Sequence, residues 1–476
     1  MYSTLSRQDI HVIHRNALEI LEQSGVLVYN DRALKVFADH GAQVDTERRL
    51  VKFPPRMIEE NIRKAPSRFT LYGREKKHDI AHRRGNVYTS TGGSPLYILD
   101  LETGERRQAV LRDLREIITL VDALEHIDLI SLLIYPNDIP KDKVDLHRFY
   151  TGLRYSTKHI AGAVYTLDGL KDVCRMVEIV SGREDWKRKP LISVVLCPII
   201  SPLRLDSDTT ELLVACTERG ITTYNMSMIQ VGSSVPMTLA GAVTVMNAEV
   251  LATATLIQLI NPRLPTFYVC VPGLTDMRRA TWFTGGVEYA LLNGAAAQMA
   301  HFYNLPVWTT AGRTDSKVID VQAGYEQAMT IPYSFLSKAN HITCGAGYLE
   351  FVMTVSFELY VIDNELIGMA KRVERGIEVN EETLALDLIK KVGPGGNFMG
   401  EHQTVNHMRT ELFNPMVSDR NERMDWEKHG SKNGWERSRE IVRQILSSHQ
   451  PKGFSKTVTE TLQKTFPDLF RNEPSI

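Results

Sequence analysis

The chain has 476 residues, 43% hydrophobic and 24% charged, with a mean hydropathy of −0.20, so it can bury a large core and is not a disordered polymer. Lys and Arg total 56 against 57 Asp and Glu, a formal net charge of −1, which leaves no positive field to draw nucleic acid or an anionic membrane. Five scattered cysteines (Cys174, Cys197, Cys216, Cys270, Cys344) suit a reducing cytoplasm rather than a disulfide framework.

The first twenty residues are charged throughout, with no secretory apolar segment, and no uninterrupted apolar run reaches membrane-spanning length. Residues 6–24 read as a helix that starts at Ser6 and Asp9 and carries Ile10, Ile13, Ala17, Ile20 and Leu21 on one face. Short helices are expected over 31–38 and 54–65, and a hairpin-rich, charged segment over 69–84. Residues 1–84 thus form an N-terminal cap without evident chemistry.

From residue 85 short apolar runs recur at even spacing. Strands are expected at 87–91, 127–134, 160–165, 191–197, 222–226, 266–271, 307–311 and 342–345, with helical patterns at 110–124, 169–180, 209–218, 240–259 and 321–338 between them. Short apolar strands alternating with helices argue for a parallel sheet covered on both sides. Eight such units match an α/β fold of the (β/α)8 TIM-barrel type over 85–350. A doubly wound open sheet is the runner-up, but it would bring a phosphate-binding glycine fingerprint, and the sequence has none. Residues 351–476 read as a C-terminal helical region: helices over 354–369 and 381–391, a glycine-rich turn over 392–400, and one long polar helix over 426–448.

Chemistry in a barrel collects on the loops after the strands. The stretch 285–326 reads as helix, turn, apolar strand, polar loop, helix, and its loop supplies the central cluster: Trp308, Thr309, Thr310, Arg313, Asp315, Ser316 and Lys317. The competing structural reading is that Arg313, Asp315 and Lys317 only cap a helix and pair with one another. Zinc-ligand spacings (C-x-x-C, H-E-x-x-H) and a G-x-S-x-G nucleophile elbow are absent. Asp145-Leu146-His147 begins like a corrinoid-binding D-x-H-x-x-G, but the sixth position is Tyr150 and the context is helical, so this chain is not expected to bind a corrinoid by itself. Aromatic residues near the expected strand ends, Tyr97, Tyr135, Tyr165, Tyr268, Trp308 and Tyr348, could cage a quaternary ammonium at about 0.5–2 kcal/mol per cation–π contact. They could equally close the core with one wet edge.

Long runs carry a family resemblance: VPMTLAGAVTVMNAEVLATATLIQLINP (235–262), GGVEYALLNGAAAQMAHFYNLPVW (285–308), TDSKVIDVQAGYEQA (314–328), GAGYLE (345–350), ETLALDLIKKVGPGGNFMG (382–400) and SDRNERMDWEKHGSK (418–432). Over roughly residues 5–450 the sequence resembles the trimethylamine:corrinoid methyltransferase family. The resemblance implies a (β/α)8 barrel and methyl transfer from a methylated amine to the Co(I) corrinoid of a separate partner protein. It implies no tightly bound cofactor in this chain, and a homo-oligomer. The trimethylamine enzymes of that family carry pyrrolysine, whereas this sequence holds only the twenty common residues and so resembles the pyrrolysine-free branch, of which glycine betaine:corrinoid methyltransferase is the leading example. A quaternary ammonium is already activated, because its amine leaves neutral and needs no proton. The reaction then requires mainly positioning, desolvation and a place for the cation.

On that basis Tyr97, Trp308 and Tyr348 are expected to face the ammonium, with Tyr165 and Tyr268 behind them. Arg313, or failing it Lys317, is expected to hold a substrate carboxylate. Thr309, Thr310 and Asp315 would orient the substrate or loop, and Asp315 and Glu350 are the catalytic candidates. Proline betaine, carnitine and γ-butyrobetaine are alternative substrates. A barrel lyase or hydrolase acting on a cationic amine, and a non-catalytic betaine-binding protein, are the readings from other classes.

Overall fold

The computed structural model describes residues 3–182 and 186–470. Its centre is a closed ring of eight parallel strands: β1 (Tyr88–Thr89), β2 (Ile130–Ser131), β3 (Ile160–Ala163), β4 (Ile192–Leu196), β5 (Thr223–Asn225), β6 (Tyr268–Val269), β7 (Val307–Thr310) and β8 (His341–Thr343). Registers run Ile130 to Ile160, Ile160 to Ile192 and Val194 to Thr223, then Tyr268 to Val307 and Trp308 to His341. His341 opposite Tyr88, with bridges Ser90–Leu129 and Thr223–Thr266, joins the two arcs into a barrel. Seven strands lie within the expected apolar runs, and β8 begins one residue ahead of its run, at His341.

Each strand is followed by a helix on the outside: α1 (Leu111–Ala123), α2 (Val144–Tyr155), α3 (Leu167–Ser181), α4 (Asp208–Glu218), α5 (Leu239–Ile260), α6 (Val287–Phe302), α7 (Val321–Leu336) and α8 (Phe357–Arg375). Two of these helix starts are capped by side chains: Thr166 accepts the Gly169 N–H ahead of α3, and Asp320 accepts the Ala323 N–H ahead of α7. α8, the barrel's eighth helix, lies past residue 350, so the barrel reaches further along the chain than the spacing suggests.

The segment before β1 builds two structures. Helices Arg7–Gln23, Asp31–Asp39 and Pro55–Ile62 pack over α5, which is why α5 is apolar on nearly every side. By length and composition Leu239–Ile260 could cross a membrane, although Asn247, Glu249 and Gln258 interrupt its apolar run, and 78% of its apolar window is buried inside this fold. The hairpin Phe69–Leu71/Ile80–His82 closes the N-terminal end of the barrel, where Phe69, Leu71, Ile80 and His82 pack against lumen residues such as Phe267 and Tyr88.

Three expectations for the C-terminal region are corrected. Residues 354–356 form a strand rather than a helix start, because they pair with Tyr97–Leu99. The helix expected over 381–391 is broken at Ala385, whose φ is 49°. The long helix expected over 426–448 is two helices, Arg423–Lys428 and Gly434–Ser448. Positive φ values at Gly430 (92°) and Ser431 (54°) end the first, and Asn433 caps the second.

Candidate functional site

Two rims stand at the C-terminal mouth of the barrel. The connections after β8 and β1 form one small sheet, in which Thr354–Ser356 pairs with Tyr97–Leu99 and with Tyr348–Leu349, and Tyr97–Leu99 pairs with Arg106–Gln108. The connections after β5 and β6 form the other, with Gln230–Val231, Gly273–Asp276 and Thr281–Phe283 as its strands. The β7 loop lies between them and is tied to both. Glu350 and Phe351 donate backbone N–H groups to the carbonyls of Ser316 (2.9 Å) and Thr314 (3.3 Å). On the other side Asp315 accepts from the Thr284 N–H (2.9 Å), the Thr284 hydroxyl (3.2 Å) and the Gly285 N–H (2.9 Å).

Arg313 sits in this bracketed loop. It is 5% exposed. Its guanidinium donates to Cys344 Sγ at 3.2 Å, its Nε has no partner, and the groups around it are Cys344, Tyr289 and Tyr348. Among the described residues no carboxylate pairs with it. A guanidinium stays charged in proteins, and a buried charge without a counter-ion costs several kcal/mol. Tyr348 is wholly buried beside it, and its phenol oxygen accepts the Gly92 N–H at 3.0 Å. Tyr289, from α6, donates its hydroxyl to Thr310.

Several expected residues are engaged elsewhere. The ring of Tyr97 is covered by Arg106, 3.5 Å from its centroid, so that face is not open to a substrate cation. Glu350 pairs with the same Arg106 at 3.0 Å and accepts from Thr354, which makes it a rim contact rather than a free carboxylate. Lys317 is exposed, donates to the Asp315 carbonyl and lies over Phe351. Tyr268 points out of the lumen, stacks on Tyr303 and donates to Asn247. Thr309 pairs with Ile342 on the helix-facing side, leaving its hydroxyl buried and unpartnered. Asp315 is spent on stitching the loop, and burial pushes its carboxyl pKa up. Tyr165 remains at the mouth, 44% exposed and edge-on to Tyr135.

Trp308 does face the lumen, but it stacks with Tyr224 (5.6 Å) and meets His341 edge-on (5.9 Å) in the packed floor. Three buried histidines share that floor. Burial drives His82 down to about 3, His159 to about 4 and His341 well below its ordinary value. The floor beneath the mouth is therefore uncharged at neutral pH.

The sequence reading missed Arg148. It is fully buried on α2 and donates to Ser94 Oγ (2.7 Å), the Leu132 carbonyl (3.1 Å) and the Tyr165 hydroxyl (3.2 Å), which fixes the Tyr165 edge of the mouth. The signal was present: Asp145 and Arg148 lie three apart on a helix buried from Val144 to Leu153. Tyr289 was also missed, because nothing in an alanine-rich helix marks a phenol that reaches the neighbouring loop.

Comparison with known proteins agrees with this architecture. A family model described as "Trimethylamine methyltransferase (MTTB)" matches residues 1–468. The chain is 34% identical over 459 residues to a trimethylamine methyltransferase MttB of Desulfitobacterium hafniense DCB-2, covering 96% of this chain and 92% of that one. It is 31% identical over 463 residues to a glycine betaine methyltransferase of D. hafniense Y51, covering 97% and 96%. In structure it resembles the Methanosarcina barkeri monomethylamine methyltransferase MtmB, with a TM-score of 0.51 and 13% identity over 94% of each chain. At that identity the likeness speaks for the fold alone.

Proposed function

We propose that this chain, which belongs to the trimethylamine methyltransferase family, takes its methyl group from a betaine, with glycine betaine first among the candidates. The family makes it a methyltransferase. The choice of substrate rests on one observation, the buried Arg313 guanidinium, with which no carboxylate pairs among the described residues. Trimethylamine offers that charge nothing, whereas a betaine carries both the missing carboxylate and a quaternary nitrogen.

The reaction balances without a proton. The Co(I) centre of a corrinoid, presented by a partner protein as methyl acceptor, supplies the electron pair of the new cobalt–carbon bond. The carbon–nitrogen pair stays on nitrogen, and a dimethylamino acid leaves, neutral at nitrogen and still carrying its carboxylate. This chain's residues therefore have to hold, orient and desolvate rather than donate or accept protons. Arg313 would anchor the carboxylate. In glycine betaine one methylene separates carboxylate from ammonium, so the cation is carried beside the Tyr348 phenol. The neutral His82, His159 and His341 put no positive charge beneath it. Proline betaine, carnitine and γ-butyrobetaine differ in carboxylate reach, and a substrate panel separates them.

We also propose a cytoplasmic homo-oligomer. All five cysteines are free, as a reducing compartment allows. α7 supports self-association: Val321 (82% exposed), Tyr325 and Met329 form an outer stripe, and the helix's one charged residue, Glu326, is turned inward to Thr314.

The test is to mix the purified protein with cob(I)alamin and a panel of betaines plus trimethylamine, following methylcobalamin by absorbance. Methylation by one betaine and not by trimethylamine is the expected result. Methylation by trimethylamine alone would overturn the substrate reading. Silence throughout, also with a cognate corrinoid protein as acceptor, would overturn the reaction.

A further inference from the structure

A glycine stands directly ahead of each residue proposed to hold the substrate: Gly312 before Arg313 and Gly347 before Tyr348. Both have left-handed backbones, with φ +70° and +90°. A Cβ on Gly312 would meet the Gly345 carbonyl oxygen at 2.9 Å, and one on Gly347 would meet the Tyr360 ring at 2.3 Å, so the β7 loop lies directly on the β8 loop. Side chains of the helix layer hold the polar groups of these glycines. The Gly312 N–H donates to Thr330 Oγ1 (3.1 Å) and its carbonyl accepts from Gln327 Nε2 (3.0 Å), both on α7. The same Nε2 donates to Asp363 Oδ2 on α8 (3.2 Å), and that oxygen also accepts the Gly347 N–H at 2.7 Å. A continuous chain of hydrogen bonds thus runs from the Gly312 carbonyl through Gln327 and Asp363 to the Gly347 amide. Both side chains are fully buried. Among the described residues no cation pairs with Asp363, its Oδ1 has no partner, and burial pushes its carboxyl pKa well above the usual range. A buried carboxyl with one oxygen unmatched stabilises a fold little. What Asp363 does is tie two loops together.

We propose that Asp363, acting through Gln327, is a positioning residue that sets how far Arg313 stands from the Tyr348 phenol, and so which carboxylate-to-nitrogen reach a betaine must have. The inference rests on the betaine reading above. Arg313 is held on both sides: Gly312 ahead of it by Gln327 and Thr330, and Thr314 and Asp315 after it by Glu326, which accepts the Thr314 hydroxyl (2.5 Å) and the Asp315 N–H (2.9 Å). Tyr348 is held through Gly347 and, at its phenol, by Gly92. The backbone bonds from Glu350 and Phe351 join the two loops further out, whereas the Gln327–Asp363 link joins them directly beside Arg313 and Tyr348. Small displacements of such a pair matter, because a shift of about 1 Å can cost about a hundredfold in rate.

Equilibrium titration of glycine betaine and γ-butyrobetaine separates positioning from folding. A variant that is merely destabilised loses binding stoichiometry, while its folded fraction keeps the wild-type Kd. Asp363→Ala and Gln327→Leu are each expected to raise the Kd of glycine betaine about tenfold or more at unchanged stoichiometry. γ-Butyrobetaine, whose longer chain spans a wider spacing, should lose less or gain. The double variant should be no worse than either single change, since both cut one chain of bonds. Asp363→Asn keeps an acceptor for Gly347 and Gln327 and sets its amide nitrogen where Oδ1 has no partner, so it should bind nearly as the wild type does. Should Asp363→Ala fail to fold, Gln327→Leu carries the same expectation with Asp363 in place. A wild-type Kd in folded Gln327→Leu, or equal losses for both betaines, would overturn the positioning role. A loss in Asp363→Asn as large as in Asp363→Ala would overturn it too. A wild type that binds and demethylates no betaine would overturn the substrate reading and this inference with it; one that uses glycine betaine while the variants keep its Kd would overturn the positioning role alone.

Discussion

Replacing Arg313 by Met separates a binding role from a structural one, because the two roles predict opposite stability changes. In the free protein the guanidinium is buried with a thiol and phenols for company and no carboxylate. Removing an uncompensated buried charge and filling its space with an apolar chain should raise Tm, since such replacements often stabilise by about 1–4 kcal/mol. The same change removes a two-pronged charged contact to the substrate. At about 1.5–3 kcal/mol for hydrogen bonds to a charged group, kcat/KM for the preferred betaine should fall roughly ten- to a hundredfold or more. Tetramethylammonium, which lacks a carboxylate, should lose nothing, and Arg313→Lys should recover part of the betaine activity. The assays are thermal denaturation with and without betaine and methylcobalamin formation under saturating acceptor. A lower Tm together with unchanged betaine kinetics would refute the reasoning and leave Arg313 as a packing residue.

The floor histidines predict an acid limit to stability. Their folded pKa values lie below the unfolded value of about 6.5, with His82 at about 3 and His159 at about 4. The unfolded chain therefore takes up protons first, so stability is intact above about pH 6.5 and drains as pH falls toward 4. At pH 5 each should cost about 2 kcal/mol, and His82→Phe should flatten the Tm–pH curve over that interval. Asp315→Asn sets an amide against the Thr284 and Gly285 N–H donors; a loss of about 1–3 kcal/mol by denaturant titration is expected, with kcat falling through a loosened loop and no carboxylate limb appearing in the pH–rate profile. Glu350→Gln, which removes a half-exposed pair with Arg106, should cost less than about 1 kcal/mol and leave kcat unchanged; a large kcat loss would restore Glu350 as a catalytic group. Tyr325→Lys on the outer face of α7 should lower the oligomer mass measured by light scattering, and an unchanged mass would remove that face as an interface.

The strands were legible because a barrel strand is short, apolar and closed by a polar loop, so its pattern is local. Trp308 and Tyr268 show where local reading stops. Each stands in a correctly placed strand, but facing depends on a one-residue alternation that near-continuous apolar runs do not reveal. One points into the packed floor and the other into the helix layer. Tyr97 and Glu350 were misread for a different reason. Their partner, Arg106, lies on a strand paired to Tyr97, and Glu350 follows a separate connection 244 residues later than Arg106, a proximity only the closed ring creates. Arg313 was legible as a charge in a post-strand loop. That no carboxylate among the described residues pairs with it is a property of the fold.

The closed barrel floor has a kinetic consequence. Because the hairpin seals one end, the proposed reaction would give donor, spent amine and acceptor a single doorway. The amine has to be loaded before the acceptor arrives, and its demethylated remnant stays trapped until the acceptor withdraws. Compulsory-order kinetics follow, with excess acceptor acting as a dead-end inhibitor that competes with the amine for an empty doorway.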